Sequence, residues 1–138
     1  MAGYSGTPLV KKLGIKPGDR LALVAAPRGF ATELEGLPDT VRPVGERTQA
    51  EVAIVFGLSR AEFEKRFSAA AKRMTTAGMI WAAWPKKASG IQTDLDESKV
   101  REFGLRTGLV DIKVCAINET WSGLKFVIPV KDRTKRNL

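Results

Sequence analysis

The chain has 138 residues and 15.0 kDa, with 43% hydrophobic and 28% charged residues, which fits one globular domain with a sizeable core and leaves no room for a second. It holds 0 histidines and 1 cysteine, which excludes a disulfide framework, the usual zinc sites and catalysis by a serine–histidine or cysteine–histidine pair. The formal net charge of +8 is concentrated at the ends, +3 on residues 1–20 and +3 on residues 131–138, so the sequence reads as a single domain over 1–130 with a solvated basic tail over 131–138.

Thr7-Pro8 ahead of Leu9, Val10 and Leu13 predicts a short helix with Thr7 as capping hydroxyl, ended by Gly14. Lys16-Pro17-Gly18-Asp19 turns the chain. Arg20–Ala26 is apolar on both alternating faces after its first residue, the pattern of a parallel strand covered on two sides. A short helical or irregular piece around Thr32–Leu37 follows, then a brief strand over Val41–Val44 that Pro43 confines to a sheet edge. Glu51–Gly57 repeats the doubly apolar pattern. Ser59 with Glu62 forms a capping box, and Phe63, Phe67, Ala70 and Met74 recur on one face of the helix behind it.

After Gly78, Met79–Trp84 predicts another buried strand with Trp81 and Trp84 on opposite faces. Beyond the loop Pro85–Gly90, Thr93 or Asp94 caps a helix that buries Val100 and Phe103 and stops at Gly104. Asp94, Asp96 and Glu97 suit the positive end of that helix better than a metal. Leu109–Ile117 is a strand in which Cys115 is a small buried hydrophobe and Asp111 has Lys113 on its own face as an ion-pair partner. Trp121–Ile128 alternates, with Ser122, Leu124, Phe126 and Ile128 to one side, and the short Asn118–Thr120 link requires an antiparallel hairpin. The series predicts an α/β, three-layer Rossmann-like domain, a mostly parallel sheet with an antiparallel C-terminal hairpin strand and crossovers of helical length. The hairpin strand at a sheet edge offers a surface for a protein partner or a homodimer.

In such sheets ligands bind beyond the carboxyl ends of the strands. The residues expected there are Arg28 and Gly29 after the first strand, Ser59 and Arg60 after the second, and Trp84, Lys86, Lys87 and Ser89 after the third. One reading gathers Arg28, Arg60, Lys86 and Lys87 around a small anionic molecule beside Trp84; the other leaves the cations in solvent and packs Trp84 under the loop. Trp81, Phe63 and Phe67 read as core, and Glu119 at the hairpin tip as solubilising. No cofactor is called for by these residues. No window is long and apolar enough to cross a membrane, and the start lacks a leader pattern, which points to a cytoplasmic protein.

Three stretches carry a resemblance: Gly3-Tyr4-Ser5-Gly6-Thr7-Pro8-Leu9 with Lys12-Leu13-Gly14-Ile15-Lys16-Pro17-Gly18, then Trp84-Pro85-Lys86-Lys87-Ala88-Ser89, then Gly108-Leu109-Val110-Asp111 through Trp121-Ser122-Gly123-Leu124-Lys125-Phe126-Val127. Together they resemble a family of short bacterial proteins known only as a domain of unknown function, which implies no activity, substrate or catalytic residue. The order of strands and helices is also similar to the later half of class I methyltransferases. That resemblance implies a run of glycines after the first strand for S-adenosylmethionine, where this chain has Ala25-Ala26-Pro27-Arg28-Gly29, and an acid after the second, where Glu46 is the nearest match. No phosphate loop ending in Gly-Lys-Ser or Gly-Lys-Thr is present.

The leading expectation is therefore a noncatalytic or regulatory Rossmann-like module that binds a small anionic ligand or a protein partner at its rim. A degenerate methyltransferase-like enzyme is the alternative, with Glu119, Asp111, Lys86, Lys87 or Tyr4 as the available proton carriers. Weak nucleic-acid binding through the basic termini is the third.

Overall fold

The computed structural model describes residues 7–136, with side chains through Arg133. Tyr4 and the Gly3–Gly6 part of the resemblance lie outside the described residues. The secondary structure runs α1 (Leu9–Leu13), β1 (Arg20–Val24), a 3-10 turn (Phe30–Glu33), β2 (Arg42–Val44), β3 (Ala50–Phe56), α2 (Arg60–Arg73), β4 (Met74–Pro85), a second 3-10 turn (Lys87–Ser89), α3 (Glu97–Arg106), β5 (Val110–Ala116), β6 (Trp121–Val127) and α4 (Val130–Arg136). The strands form one six-stranded sheet in the order β2-β1-β3-β4-β6-β5. β2, β1, β3 and β4 pair in parallel, and β6 is inserted antiparallel between β4 and β5. This is the predicted α/β Rossmann-like architecture.

The two faces of the sheet have separate cores. Trp84, Phe63, Phe67, Val100, Leu124 and Phe126 belong to the face covered by α2 and α3; Trp81, Phe30, Phe56, Leu13, Ile117 and Trp121 belong to the face covered by α1 and the first 3-10 turn. The two tryptophans of β4 thus part to opposite faces, as strand alternation requires. Burial on both sides explains the apolar runs Val52–Phe56 of β3 and Met79–Trp84 of β4.

Several expectations are corrected. The N-cap position of α1 falls on Pro8 and not on Thr7, and it carries no side-chain cap bond. β4 begins at Met74, directly off α2, and its residues 75–78 bulge out where the register jumps from Ala50↔Met74 to Val52↔Met79. Gly78 permits this because a Cβ there would lie 2.8 Å from the Glu51 carbonyl oxygen. The crossover from β2 to β3 has no helix. Residues 45–49 suffice because β2 spans only Arg42–Val44, and the exposed Glu46 and Thr48 line a small cavity with the β1 and β3 residues Ala22, Ala50 and Ala53. α3 is capped by Asp96, whose carboxylate accepts from Lys99 N at 2.9 Å, and it runs through Gly104 to Arg106. Gly104 is a packing residue under the Phe126 ring, not a stop.

Asp111 pairs with Arg101 of α3 at 3.0 Å and not with Lys113. The register of β5 on β6 runs Asp111↔Phe126, then Lys113↔Lys125, so Ile112 is an extra residue in the ladder. That bulge breaks the alternation and sends Asp111 to the α3 face and Lys113 to the α1 face. After β6 the chain forms α4 (Val130–Arg136), with Arg133 Nε donating to Ile128 O at 3.1 Å. Among the described residues no helix is long and apolar enough to cross a membrane.

Candidate functional site

The carboxyl rim of the sheet is formed by the loops after β1, β3 and β4 and by the β5–β6 hairpin. Lys86 N donates to Thr120 O at 2.8 Å, which joins the third loop to the hairpin. Along this rim lies an open groove of about 700 Å³, lined by Leu58, Ser59, Pro85, Lys87, the stretch 90–96 and Lys99, a volume within the usual range for small-molecule sites.

Of the expected site residues, Ser59 and Lys87 line the groove. Ser59 is committed to capping α2, accepting from Glu62 N at 3.3 Å, while the Glu62 carboxylate turns to Arg66 and leaves the capping box with one half. Arg60 stands beside the groove, but its guanidinium pairs with Glu64 at 2.9 Å, which holds its pKa above the ordinary arginine value. Trp84 is 6% exposed and packs in the α2–α3 core with Phe63 and Leu95 instead of walling the rim. Ser89 closes its own turn, donating to Lys86 O at 2.6 Å and accepting from Ile91 N; Lys86 is half-buried. Arg28 and Gly29 are exposed on the next stretch of rim, after β1, and are not among the groove's lining.

What the sequence concealed is a carboxylate. Asp94 Oδ1 accepts from Arg60 N at 2.6 Å, so the first turn of α2, where exposed N–H groups would favour an anion, already has one from its own chain. Thr93 Oγ1 donates to Leu58 O and accepts from Leu95 N, fastening the same loop across the end of β3. Asp94 and its spacing ahead of α3 had signalled a cap for that helix; the helix it serves is α2, and only the fold shows this.

The loop after β1 bends sharply. Ala25 has φ +58° and Gly29 φ +81°, left-handed values that are unusual for alanine and ordinary for glycine. On the α1 face the rim is closed by aromatic rings: Phe30 meets Phe56 with centroids 4.9 Å apart, and Phe56 meets Trp121 at 5.1 Å, both edge to face. Asn118 Nδ2 donates to Glu33 Oε1 at 2.9 Å and bridges the hairpin to the first 3-10 turn above them. The open volume is therefore on the β3–β4–α3 side.

No protein-family model matches the chain, and no curated protein does, so the resemblance to a short bacterial family rests on the three sequence stretches alone. Solved structures do match. A precorrin-6y C5,15-methyltransferase from Geobacter metallireducens GS-15 aligns with a TM-score of 0.64 at 10% identity, over 88% of this chain and 86% of that one. A TehB-like SAM-dependent methyltransferase from Corynebacterium glutamicum ATCC 13032 gives 0.58 at 10%, over 88% and 85%. The magnesium protoporphyrin IX methyltransferase of Synechocystis PCC 6803, solved with bound SAM, gives 0.58 at 8%, over 88% and 74%. At such low identity the likeness concerns the backbone, and on it the chain has the Rossmann-like fold of S-adenosylmethionine-dependent methyltransferases.

Proposed function

We propose that the protein is a degenerate methyltransferase-like protein that binds an S-adenosylmethionine-class molecule along the carboxyl rim, from the Ala25–Gly29 bend to Ser59. The observation that carries this reading is the sheet order with an antiparallel β6 inserted beside β4, together with the likeness to SAM-dependent enzymes over most of the chain. The residues after β1 suit such a ligand in part. The left-handed bend at Ala25 and Gly29 exposes backbone, and nothing lies within 4 Å of a Cβ built on Gly29. They depart from it in having one glycine beside a proline, and a 3-10 turn in place of a helix. Glu46, the nearest match for a ribose-binding acid, is exposed in the crossover over β1. This chain's own part is accordingly binding, and no proton-transfer residue is assigned.

The experiment is isothermal titration calorimetry with S-adenosylmethionine and S-adenosylhomocysteine on the protein and its Arg28→Ala variant. Saturable binding weakened by Arg28→Ala is expected. Wild-type heats no larger than dilution would overturn the reading. A second reading, a noncatalytic module for a small phosphorylated molecule, is favoured by Lys87 and Lys99 beside the groove. It is tested by thermal shift with phosphorylated metabolites, where a ligand at a hundred times its dissociation constant adds about 2.7 kcal/mol of stability.

A further inference from the structure

The bulge at Ile112 places Lys113 opposite Lys125 on the α1 face of the hairpin. Like charges directly opposite across two strands destabilise a sheet, and a regular ladder would have kept Lys113 beside Asp111 on the other face. The residue gained in β5 thus creates a repulsive pair that the fold otherwise avoids.

The pair is not isolated. Lys125 is half-buried, and its pKa is lowered first by burial and then by Lys113 and Lys16. Lys12, on α1, spans the same face and donates from Nζ to Ala116 O at 2.9 Å. Burial raises the pKa of the Cys115 thiol, and Lys12, Lys113 and Lys86 act against that rise. None of Lys12, Lys16, Lys113 and Lys125 makes an ion pair with a described carboxylate. By contrast Arg20, Arg60, Arg66 and Arg101 all do. Cations elsewhere, such as Lys65, Lys72 and Lys87, are also outside these ion pairs; what sets this strip apart is that two of its lysines stand directly opposite each other on paired strands.

From the Lys113–Lys125 level to Ala116 the strip runs three strand residues, about 10 Å. Measured along a duplex axis, where each strand carries one phosphate per roughly 3.4 Å, that length covers about three phosphates. A protein partner fits less well, because interfaces are depleted in lysine and centred on aromatic anchors, and the aromatic residues beneath this face, Trp81 and Trp121, are buried.

We propose that Lys12, Lys16, Lys113 and Lys125 form a contact strip for the phosphodiester backbone of a nucleic acid, on the α1 face and apart from the rim groove. The strip makes phosphate contacts only, so it holds nucleic acid without reading sequence.

The test is fluorescence anisotropy with a labelled oligonucleotide of mixed sequence, as single strand and as duplex, at several salt concentrations. Lys113→Gln with Lys125→Gln is expected to reduce the slope of log K against log salt by about 1.8 on duplex and about 1.4 on single strand. Lys65→Gln with Lys72→Gln, exposed positions on α2, makes the same change in net charge and is expected to leave the slope in place. Because the first substitution relieves a repulsion, its thermal midpoint without nucleic acid is expected at or above the wild-type value, which separates lost binding from lost folding. An equal loss in both double variants overturns the proposal. So does binding that survives Lys113→Gln with Lys125→Gln but vanishes on deletion of residues 131–138, which would move the contact to the basic C terminus. Wild-type binding of poly-glutamate in preference to the oligonucleotide overturns it as well, in favour of an acidic protein.

Discussion

At Gly104 a methyl group added to the backbone would run into the Phe126 ring. Alanine is worth about 1 kcal/mol more than glycine inside a helix, yet overpacking a filled core costs about 1–3 kcal/mol or more, and here the obstacle is an aromatic ring that also meets Phe67 edge to face at 5.2 Å. Gly104→Ala is expected to lower the unfolding free energy in urea by about 2 kcal/mol on that reasoning. Adding Phe126→Leu is expected to recover part of the loss, a non-additivity that a mere propensity effect would lack. The position read as a helix stop because a glycine that ends a helix and a glycine that admits a neighbour look the same in one sequence. Glu51 supplies the clearest pH dependence. Arg20 donates to it from its backbone N, from Nε and from its guanidinium terminus, at 2.7, 3.1 and 2.6 Å. Those bonds lower its pKa from 4.5 to about 2. A carboxylate whose pKa is lowered by folding stabilises the protein above its unfolded value and ceases to do so as pH falls between the two. Stability is thus expected to decline from about pH 4.5 toward pH 2, and in Glu51→Gln this part of the decline disappears from the urea midpoint measured against pH.

Among the elements, the amino end of α2 shows how the rim was assembled. Ser59 satisfies one of its free N–H groups and Asp94 another. Loss of an N-cap side chain typically costs about 1 kcal/mol, and Asp94→Ala is expected to cost a similar amount by chemical denaturation. Asp94→Ala also removes the built-in anion, so sulfate is expected to raise the melting temperature of the variant more than that of the wild type; an equal response in both would mean that Asp94 leaves the helix end open. The central strands were legible because strands buried on two faces must be apolar on both, as Val52–Phe56 and Met79–Trp84 are. The edge strand was legible from Pro43. The two bulges and the helix-free crossover were not. Each depends on register between strands far apart in the chain, and a period-2 pattern read along one strand contains no information about its neighbour. The same limit governed the rim. Strand order identified the loops that reach it, but whether Arg60 meets a ligand or Glu64, and whether Trp84 lies over the groove or beneath it, is decided by contacts between elements.

For the molecule as a whole, the α1 face has the thinner cover, since the five-residue α1 and a 3-10 turn stand where the opposite face has helices of 14 and 10 residues. An isolated helix as short as α1 is not stable in water, so tertiary bonds must hold it. Two are present. Trp81 Nε1 donates to Leu13 O at 2.9 Å within the core, and Lys12 Nζ donates to Ala116 O at 2.9 Å. They tie α1 to β4 and to β5, across β6, so one short helix braces the central strand against the edge strand. The proposed phosphate strip includes Lys12 and adjoins the chain leaving α1, so its geometry depends on this brace. Trp81→Phe keeps an aromatic ring in the core but leaves Leu13 O without its indole donor. A buried acceptor deprived of its partner costs about 1–3 kcal/mol, and α1 has little else to offset it. The expected outcome is faster amide hydrogen exchange over α1, with exchange in β3 following only the change in global stability. If α1 exchanges no faster relative to β3 than in the wild type, the indole bond is not what holds the helix, and the brace rests on the burial of Val10 and Leu13.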